Sequence, residues 1–288
     1  MSLVARSLSF RYPDARDWAL RCVDLEAHDG QVTGLVGATG SGKSTLLRAM
    51  AGLVAPTSGE ALVDGRATWE RHGPFGRTRR RRDLPRFVGY VMQRPERQLF
   101  AETVAADVAF GPANLGLSKK EAAMAAQRAL ELLGIGLLAD RSPFELSGGQ
   151  QRLAAIAGVL AMGPSNLVLD EPMAALDPEG RAIVRGAVAR LARSSGAVLL
   201  VTHDMDDVAS LAARVFVVDN GSVALAGVPA EVFSHEEELA RLGLGVPSAL
   251  DFAHRLKSAH GIDVGEPLTL DALAQAIASR VSSPRKGA

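Results

Sequence analysis

Apolar residues along the chain fall into two kinds of run that alternate. The short unbroken ones, "VTGLV" (32–36), "FVGYVMQ" (87–93), "NLVLDEP" (166–172) and "VLLVTHD" (198–204), lack in-and-out alternation and read as strands covered on both faces. Between them lie patterns with helical spacing, "STLLRAMAGL" (44–53), "KKEAAMAAQRALELLG" (119–134) and "LAAIAGVLAMG" (153–163). Strands that each feed a helix predict an α/β fold with a parallel sheet. The region from Leu3 to about Gly65 is mixed, with strands such as "GEALVDG", and "VFVVDNGSVALAG" (215–227) reads as a hairpin.

Start and stop signals sharpen the helices. Ser118 with Glu121, and Ser147 with Gln150, have capping-box spacing, and Gly134 closes the first of these helices. Asp177-Pro178 supplies an N-cap and a proline at the first helical position. In "LFAETVAADVAF" (99–110), Phe100, Val104 and Val108 stand at i, i+4 and i+8, which predicts an amphipathic helix whose apolar face covers either a core or a partner helix. Beyond Val228 come helical patterns at Glu236 to Leu242, Ala249 to His260 and Leu270 to Arg280. They are too short to hold a core of their own and are expected to dock on the main body or on a second copy. The closing "SSPRKGA" (282–288) is expected to fray.

Composition narrows the partners. The chain has 288 residues, 47% of them hydrophobic, enough for one large core with a smaller unit attached. Lys+Arg 32 balances Asp+Glu 32, so no overall field draws it to nucleic acid, and no nucleic-acid partner is expected. The dense run Arg77 to Arg82 reads as a solvated loop between strands. A single Cys22 excludes an internal disulfide. The first residues lack a signal-peptide core, and the longest apolar stretch, Leu153 to Gly163, falls short of the roughly 17–25 residues of a membrane span. A soluble, cytoplasmic chain is expected.

Candidate chemistry begins at Gly37. The strand "VTGLV" runs into Gly37, Ala38, Thr39, Gly40, Ser41, Gly42, Lys43 and Ser44, and then into a helical pattern. Glycines there let backbone N–H groups surround a phosphate chain, and the helix aims its positive end at the same anion. Lys43 is placed to reach β- and γ-phosphates, the Ser44 hydroxyl to ligate Mg²⁺, and Thr45 to support the α-phosphate. The basic residues of this chain are mostly arginine, so a lysine here fits the need for a compact point charge. "NLVLDEP" ends in adjacent carboxylates where open α/β sheets bind ligands. Asp170 can hold Mg²⁺ through its water shell, and Glu171 can act as general base on the attacking water. Ser147, Gly148, Gly149 and Gln150 open another helix with free N–H groups, a second anion site for which one P-loop has no need. That surplus suggests two copies acting together.

The motifs "GATGSGKST", "LSGGQ", "LVLDEP", "AALD" and "VTHD" occur in this order, and with them the chain resembles the ATPase subunits of ABC transporters over about Leu3 to Gly227. The resemblance implies a P-loop ATPase with an antiparallel β subdomain and a helical subdomain at about 94–162, spanning residues 1–228, followed by a helical extension at 229–288. It also implies a head-to-tail dimer, homo- or heteromeric, with each ATP held between one copy's P-loop and the other's "LSGGQ". Within it, Tyr12 would stack on adenine, with Phe10 and Trp18 as alternative neighbours. Gln93 would contact Mg²⁺ and the water, Asp177 would join the two sites, and His203 would sense the γ-phosphate.

The stretch "QRPERQLFAETVAADVAFGPANLGLS" (93–118) and the tail look like those of energy-coupling factor transporters, including cobalt and nickel importers. That resemblance implies a peripheral protein on the cytoplasmic face of the membrane, with an integral coupling subunit and a membrane subunit that binds a vitamin or transition-metal ion. Another ABC importer is the nearest alternative. A soluble ABC ATPase of DNA repair or translation is opposed by the absence of a coiled-coil insertion or second ATPase unit, and a nonhydrolytic subunit by the complete set Lys43, Gln93, Asp170, Glu171 and His203.

Overall fold

The computed structural model describes residues 2–71, 78–194 and 196–282. Its centre is a six-stranded sheet in the order β12-β11-β3-β10-β9-β8, built from β3 (Val32–Val36), β8 (Val88–Val91), β9 (Asn166–Asp170), β10 (Val198–Val201), β11 (Arg214–Asp219) and β12 (Ser222–Gly227). All neighbours pair in parallel except β11 and β12, which form the expected hairpin. Register brings the carboxyl ends of the strands together: Val201 lies opposite Asp170, Leu169 opposite Val91, and Val217 opposite Val36. Every strand that carries a candidate motif therefore delivers it to one edge.

Alternate residues of each strand serve different cores, as a pleated strand dictates. Leu167 and Leu169 face a core shared with α2 (Val104–Asn114), α3 (Lys119–Leu132), α4 (Gly148–Ala161) and α5 (Pro178–Ser194). Val168 between them faces a second core with α1 (Lys43–Met50) and an antiparallel sheet. That sheet has the order β2-β1-β4-β5, from β1 (Ser2–Phe10), β2 (Leu20–His28), β4 (Ser58–Val63) and β5 (Arg66–Ala67).

Both capping boxes form, at Ser118 and at Ser147, and Asp177 Oδ1 accepts from the Gly180 N–H at 2.7 Å at the start of α5. Three sequence expectations are corrected. The helix expected from Leu99 begins at Val104, because Thr103 caps it by accepting from the Ala106 N–H; Val104 and Val108 are buried, while Phe100 is exposed. The strand before Gln93 ends at Val91, so Gln93 stands two residues beyond it and is exposed. The arginine run is no simple loop: β7 (Thr78–Arg80) pairs with β6 (Trp69–Arg71), and Arg81 is buried, bonded to Asp83 at 2.8 Å. Arg77 lies outside the described residues, as do positions 283–288 of the tail.

After β12 come α7 (Pro229–Ser234), which the pattern did not signal, α8 (Glu236–Arg241), α9 (Ser248–His260) and α10 (Leu270–Ser282). Val232, Phe233, Leu239 and Leu250 share a core with Val36, Val215 and Val217 of the sheet and with Val208 of α6 (Met205–Leu211). The tail thus docks on the main body. Among the described residues, no helix is long and apolar enough to cross a membrane.

Candidate ATP site

The turn after β3 depends on its glycines. Gly37 has φ 154° and no room for a side chain, since a Cβ would fall 2.2 Å from the Val218 carbonyl oxygen. Gly42, at φ 107°, leads directly into α1 in the left-handed region that favours glycine. The turn and the N-terminus of α1 face a cleft of about 460 Å³ lined by Tyr12, Trp18, Lys43, Ser44, Thr45 and Asn220, among others. Lys43 curls back over the loop and donates to the carbonyls of Gly37 at 2.7 Å and Ala38 at 2.8 Å. Burial pulls its pKa below the ordinary lysine value, so anionic oxygens would find an under-solvated ammonium.

At the mouth of this cleft the Tyr12 hydroxyl lies 3.1 Å from Thr45 Oγ1, and its ring meets Phe10 edge-on at 4.9 Å. Phe10 is buried, so Tyr12 and Trp18 are the aromatic faces open to a base.

The end of β9 carries the acidic groups. Asp170 is 3% exposed, and its Oδ1 has no hydrogen-bond partner. Burial raises its pKa above the usual carboxylate value, partly offset by a hydrogen bond with Ser44. A buried carboxylate oxygen left bare beside a P-loop hydroxyl is what a hydrated divalent cation would satisfy, so Ser44 and Asp170 fit Mg²⁺. Glu171 is buried at φ 53°, an uncommon conformation for a non-glycine residue, and its Oε2 lies 2.7 Å from His203 Nε2. His203 follows β10 by two residues and is largely exposed, so it can reach beyond Glu171. The structure brings Lys43, Ser44, Asp170, Glu171 and His203 to one edge of the sheet. The Gln93 segment stands at the same edge.

Ser147 to Gln150 do not join them. Among the described residues, these four line neither the cleft around Lys43 nor the second cleft, of about 510 Å³, that Glu171 and His203 line. Their N-terminus is instead preorganised on its own: Ser147 Oγ accepts from the Gln150 N–H at 3.3 Å and Gln150 Oε1 from the Ser147 N–H at 3.1 Å. Leu176, next to Asp177, packs 3.6 Å from where a Cβ on Gly149 would stand.

Two supports escaped sequence reasoning. Arg152, buried in α4, donates to the carbonyls of Gln93 (2.8 Å), Glu171 (2.6 Å) and Pro172 (3.0 Å), and Nη1 lies 3.4 Å from Glu96. A lone arginine among the alanines and leucines after "LSGGQ" was the available signal. Asp207 is fully buried and takes Arg181 at 3.0 Å and Arg185 Nε at 3.1 Å, while Asp204 caps α6 and also pairs with Arg181. These pairs clamp the His203 segment to α5.

The ABC transporter family model matches residues 20–174. The energy-coupling factor transporter ATP-binding protein EcfA2 of Symbiobacterium thermophilum is 44% identical over 292 residues, covering 100% of this chain and 99% of the relative. The chain belongs to the energy-coupling factor branch of the ABC transporter ATPases. EcfA2 of Enterococcus faecalis is 45% identical to this ABC ATPase, over 91% of the chain and 90% of the relative. Among solved structures, CbiO1 of Clostridium perfringens, described as part of the ABC transporter complex CbiONQ, matches with TM-score 0.69 and 34% identity, over 84% of this chain and 94% of that one. A dimeric bacterial ABC transporter cassette matches with TM-score 0.68 and 25% identity, over 78% and 98%.

Proposed function

We propose that this ABC ATPase drives uptake of a vitamin or transition-metal ion through an integral coupling subunit and a separate membrane subunit that binds the cargo. It would work as a dimer at the cytoplasmic face of the membrane. The observation that carries the reading is the convergence of Lys43, Asp170, Glu171 and His203 at one sheet edge, with Asp170 Oδ1 bare and Ser147 to Gln150 lining neither cleft there. Residues 1–228 form the ATP-binding domain in this reading, with residues 229–288 an extension.

ATP would lie with its base against Tyr12 and its phosphates in the turn from Gly37 to Ser44, meeting N–H groups of Ala38, Thr39, Gly40, Ser41 and Gly42. Lys43 would exchange the carbonyls of Gly37 and Ala38 for β- and γ-phosphate oxygens. Ser44, Asp170 through water, and Gln93 would hold Mg²⁺, which neutralises phosphate charge when bound. Glu171 would accept the proton of the water that attacks the γ-phosphorus. His203, already bonded to Glu171, would orient that carboxylate and touch the γ-phosphate, and ADP would leave with its bridging oxygen. A partner copy's Ser147 to Gln150 would close over the same γ-phosphate, with Asp177 beside the seam.

The nucleotide reaction and the assembly are tested together by purifying the subunit from membranes, assaying ATP hydrolysis and identifying co-purifying integral proteins. Recovery of ATPase activity with a membrane subunit is the expected outcome. Recovery of only DNA or ribosomal components would overturn the transporter reading.

A further inference from the structure

The arginine run, which the ATP site does not use, has one inward and several outward members. Arg81 is buried, with its guanidinium against the Phe87 ring at 4.8 Å, paired to Asp83 and within 3.4 Å of the Val63 carbonyl. Trp69 Nε1 donates to the Gly52 carbonyl at 3.1 Å. These contacts fix the β6–β7 hairpin against the end of α1. Arg79, Arg80 and Arg82 are exposed, and none forms an ion pair among the described residues. The nearby carboxylates are engaged elsewhere: Glu70, opposite Arg79, pairs with Arg66, and Asp83 pairs with Arg81 and Arg66. A chain of zero net charge thus holds three exposed arginines without an ion pair among the described residues, Arg79 on the Glu70 face of the β6–β7 pair and Arg80 on the Trp69 face.

Its place in the fold says what it faces. The hairpin leads through the turn Leu84–Arg86 into β8, the edge strand opposite β12 and the tail helices. Arg86, also exposed, donates to the Leu115 carbonyl at 2.6 Å, joining this turn to the C-terminal end of α2. Upstream on that helix Phe110 stacks edge-on with Phe100 at 4.8 Å, both at least half exposed. Exposed aromatics on the helix that Arg86 touches, and exposed arginines on the strand before that turn, are the two residue types of a membrane–water boundary, where rings sit among headgroups and guanidinium groups pair with phosphates.

We infer that Arg79, Arg80 and Arg82 form a contact surface for anionic lipid headgroups, on the side of the molecule where Arg86 ties the turn before β8 to α2. The inference rests on the transporter reading for its orientation, but it can fail alone. Each arginine near an anionic surface contributes about fivefold in partitioning, so three contribute roughly 100-fold, weakening as salt rises.

The test is sedimentation of the full-length subunit with vesicles of phosphatidylcholine alone or with a third phosphatidylglycerol, no membrane protein being present. Expected is salt-sensitive binding to the anionic vesicles only. The triple variant Arg79→Gln, Arg80→Gln, Arg82→Gln should lose roughly 100-fold in binding, whereas Arg190→Gln with Arg193→Gln on α5 should lose nothing. Basal ATPase activity should be unchanged in both, which also shows that they fold. Equal binding by wild type and the triple variant, or equal binding to neutral vesicles, overturns the inference. So does tighter binding to an RNA or DNA duplex than to anionic vesicles at the same salt. Failure here alongside normal co-purification with a membrane subunit would leave the transport reading standing.

Discussion

Glu171 and Asp170 are neighbours with opposite needs, and the end of β9 separates them. The turn at Glu171 (φ 53°) puts its carboxylate against His203, where it can receive a proton. Asp170 stays in the sheet with an oxygen that has no hydrogen-bond partner among the described residues. Glu171→Gln keeps shape and removes basicity, so hydrolysis should fall roughly 10²- to 10⁴-fold while nucleotide still binds; near-normal turnover in that variant would remove Glu171 from the role of base. Asp170→Asn should act differently. Replacing a buried, poorly solvated carboxylate with a neutral amide should stabilise the nucleotide-free protein by about 1 kcal/mol, or roughly 2–4 °C in melting temperature, while abolishing Mg²⁺-dependent ATPase activity. A lower melting temperature in calorimetry would mean that the bare oxygen is satisfied in solution.

At the scale of elements, Arg152 is where α4, the Gln93 segment and the end of β9 meet. Its guanidinium fills three backbone carbonyls with one rigid fork, something a flexible ammonium could not span. Arg152→Met should therefore lower kcat roughly 10- to 100-fold through misplacement of Glu171, with nucleotide affinity near that of wild type because the P-loop is untouched. Equal losses in affinity and turnover would argue for general unfolding instead. On α2, Phe110→Glu should spare basal ATPase activity and reduce co-purification with the membrane subunit; unchanged recovery would make the Phe100–Phe110 pair ordinary surface.

These elements also show what the chain's pattern discloses. Gly37 to Ser44 and both capping boxes were legible because local chemistry alone dictates them. The start of α2 was not: Phe100 continues the i, i+4 spacing perfectly well, and only the Thr103 cap, a tie between side chain and backbone, stops the helix short of it. Arg81 and Arg152 were illegible for a related reason, since a buried arginine is defined by carbonyls distant in sequence.

For the whole molecule, the question is where the folding unit ends. Helices α7 and α8 and the start of α9 complete the core on one side of β3 and β11, placing Val232, Phe233, Leu239 and Leu250 against Val36, the residue before Gly37. Ser248 strengthens the seam, donating from its N–H to Asp206 Oδ1 at 2.8 Å and from its hydroxyl to Oδ2 at 2.7 Å, three residues past His203. Among the described residues, the last helix, α10, adds Leu273 to the buried set, and it packs with α9 and Val264 in a small separate cluster. Burial of each of the four large side chains is worth about 1.5–3 kcal/mol, so together they approach the roughly 5–15 kcal/mol that stabilises a typical domain. A chain ending at Gly227 should therefore melt at least 10 °C below the full chain or fail to fold, and it should lose ATP binding as Val36 is uncovered. A chain ending at Gly261 should keep its melting temperature within a few degrees and still bind ATP. If the shorter chain melts with the full-length protein, residues 229–288 are an appendage, and the packing against Val36 contributes nothing to the ATP site.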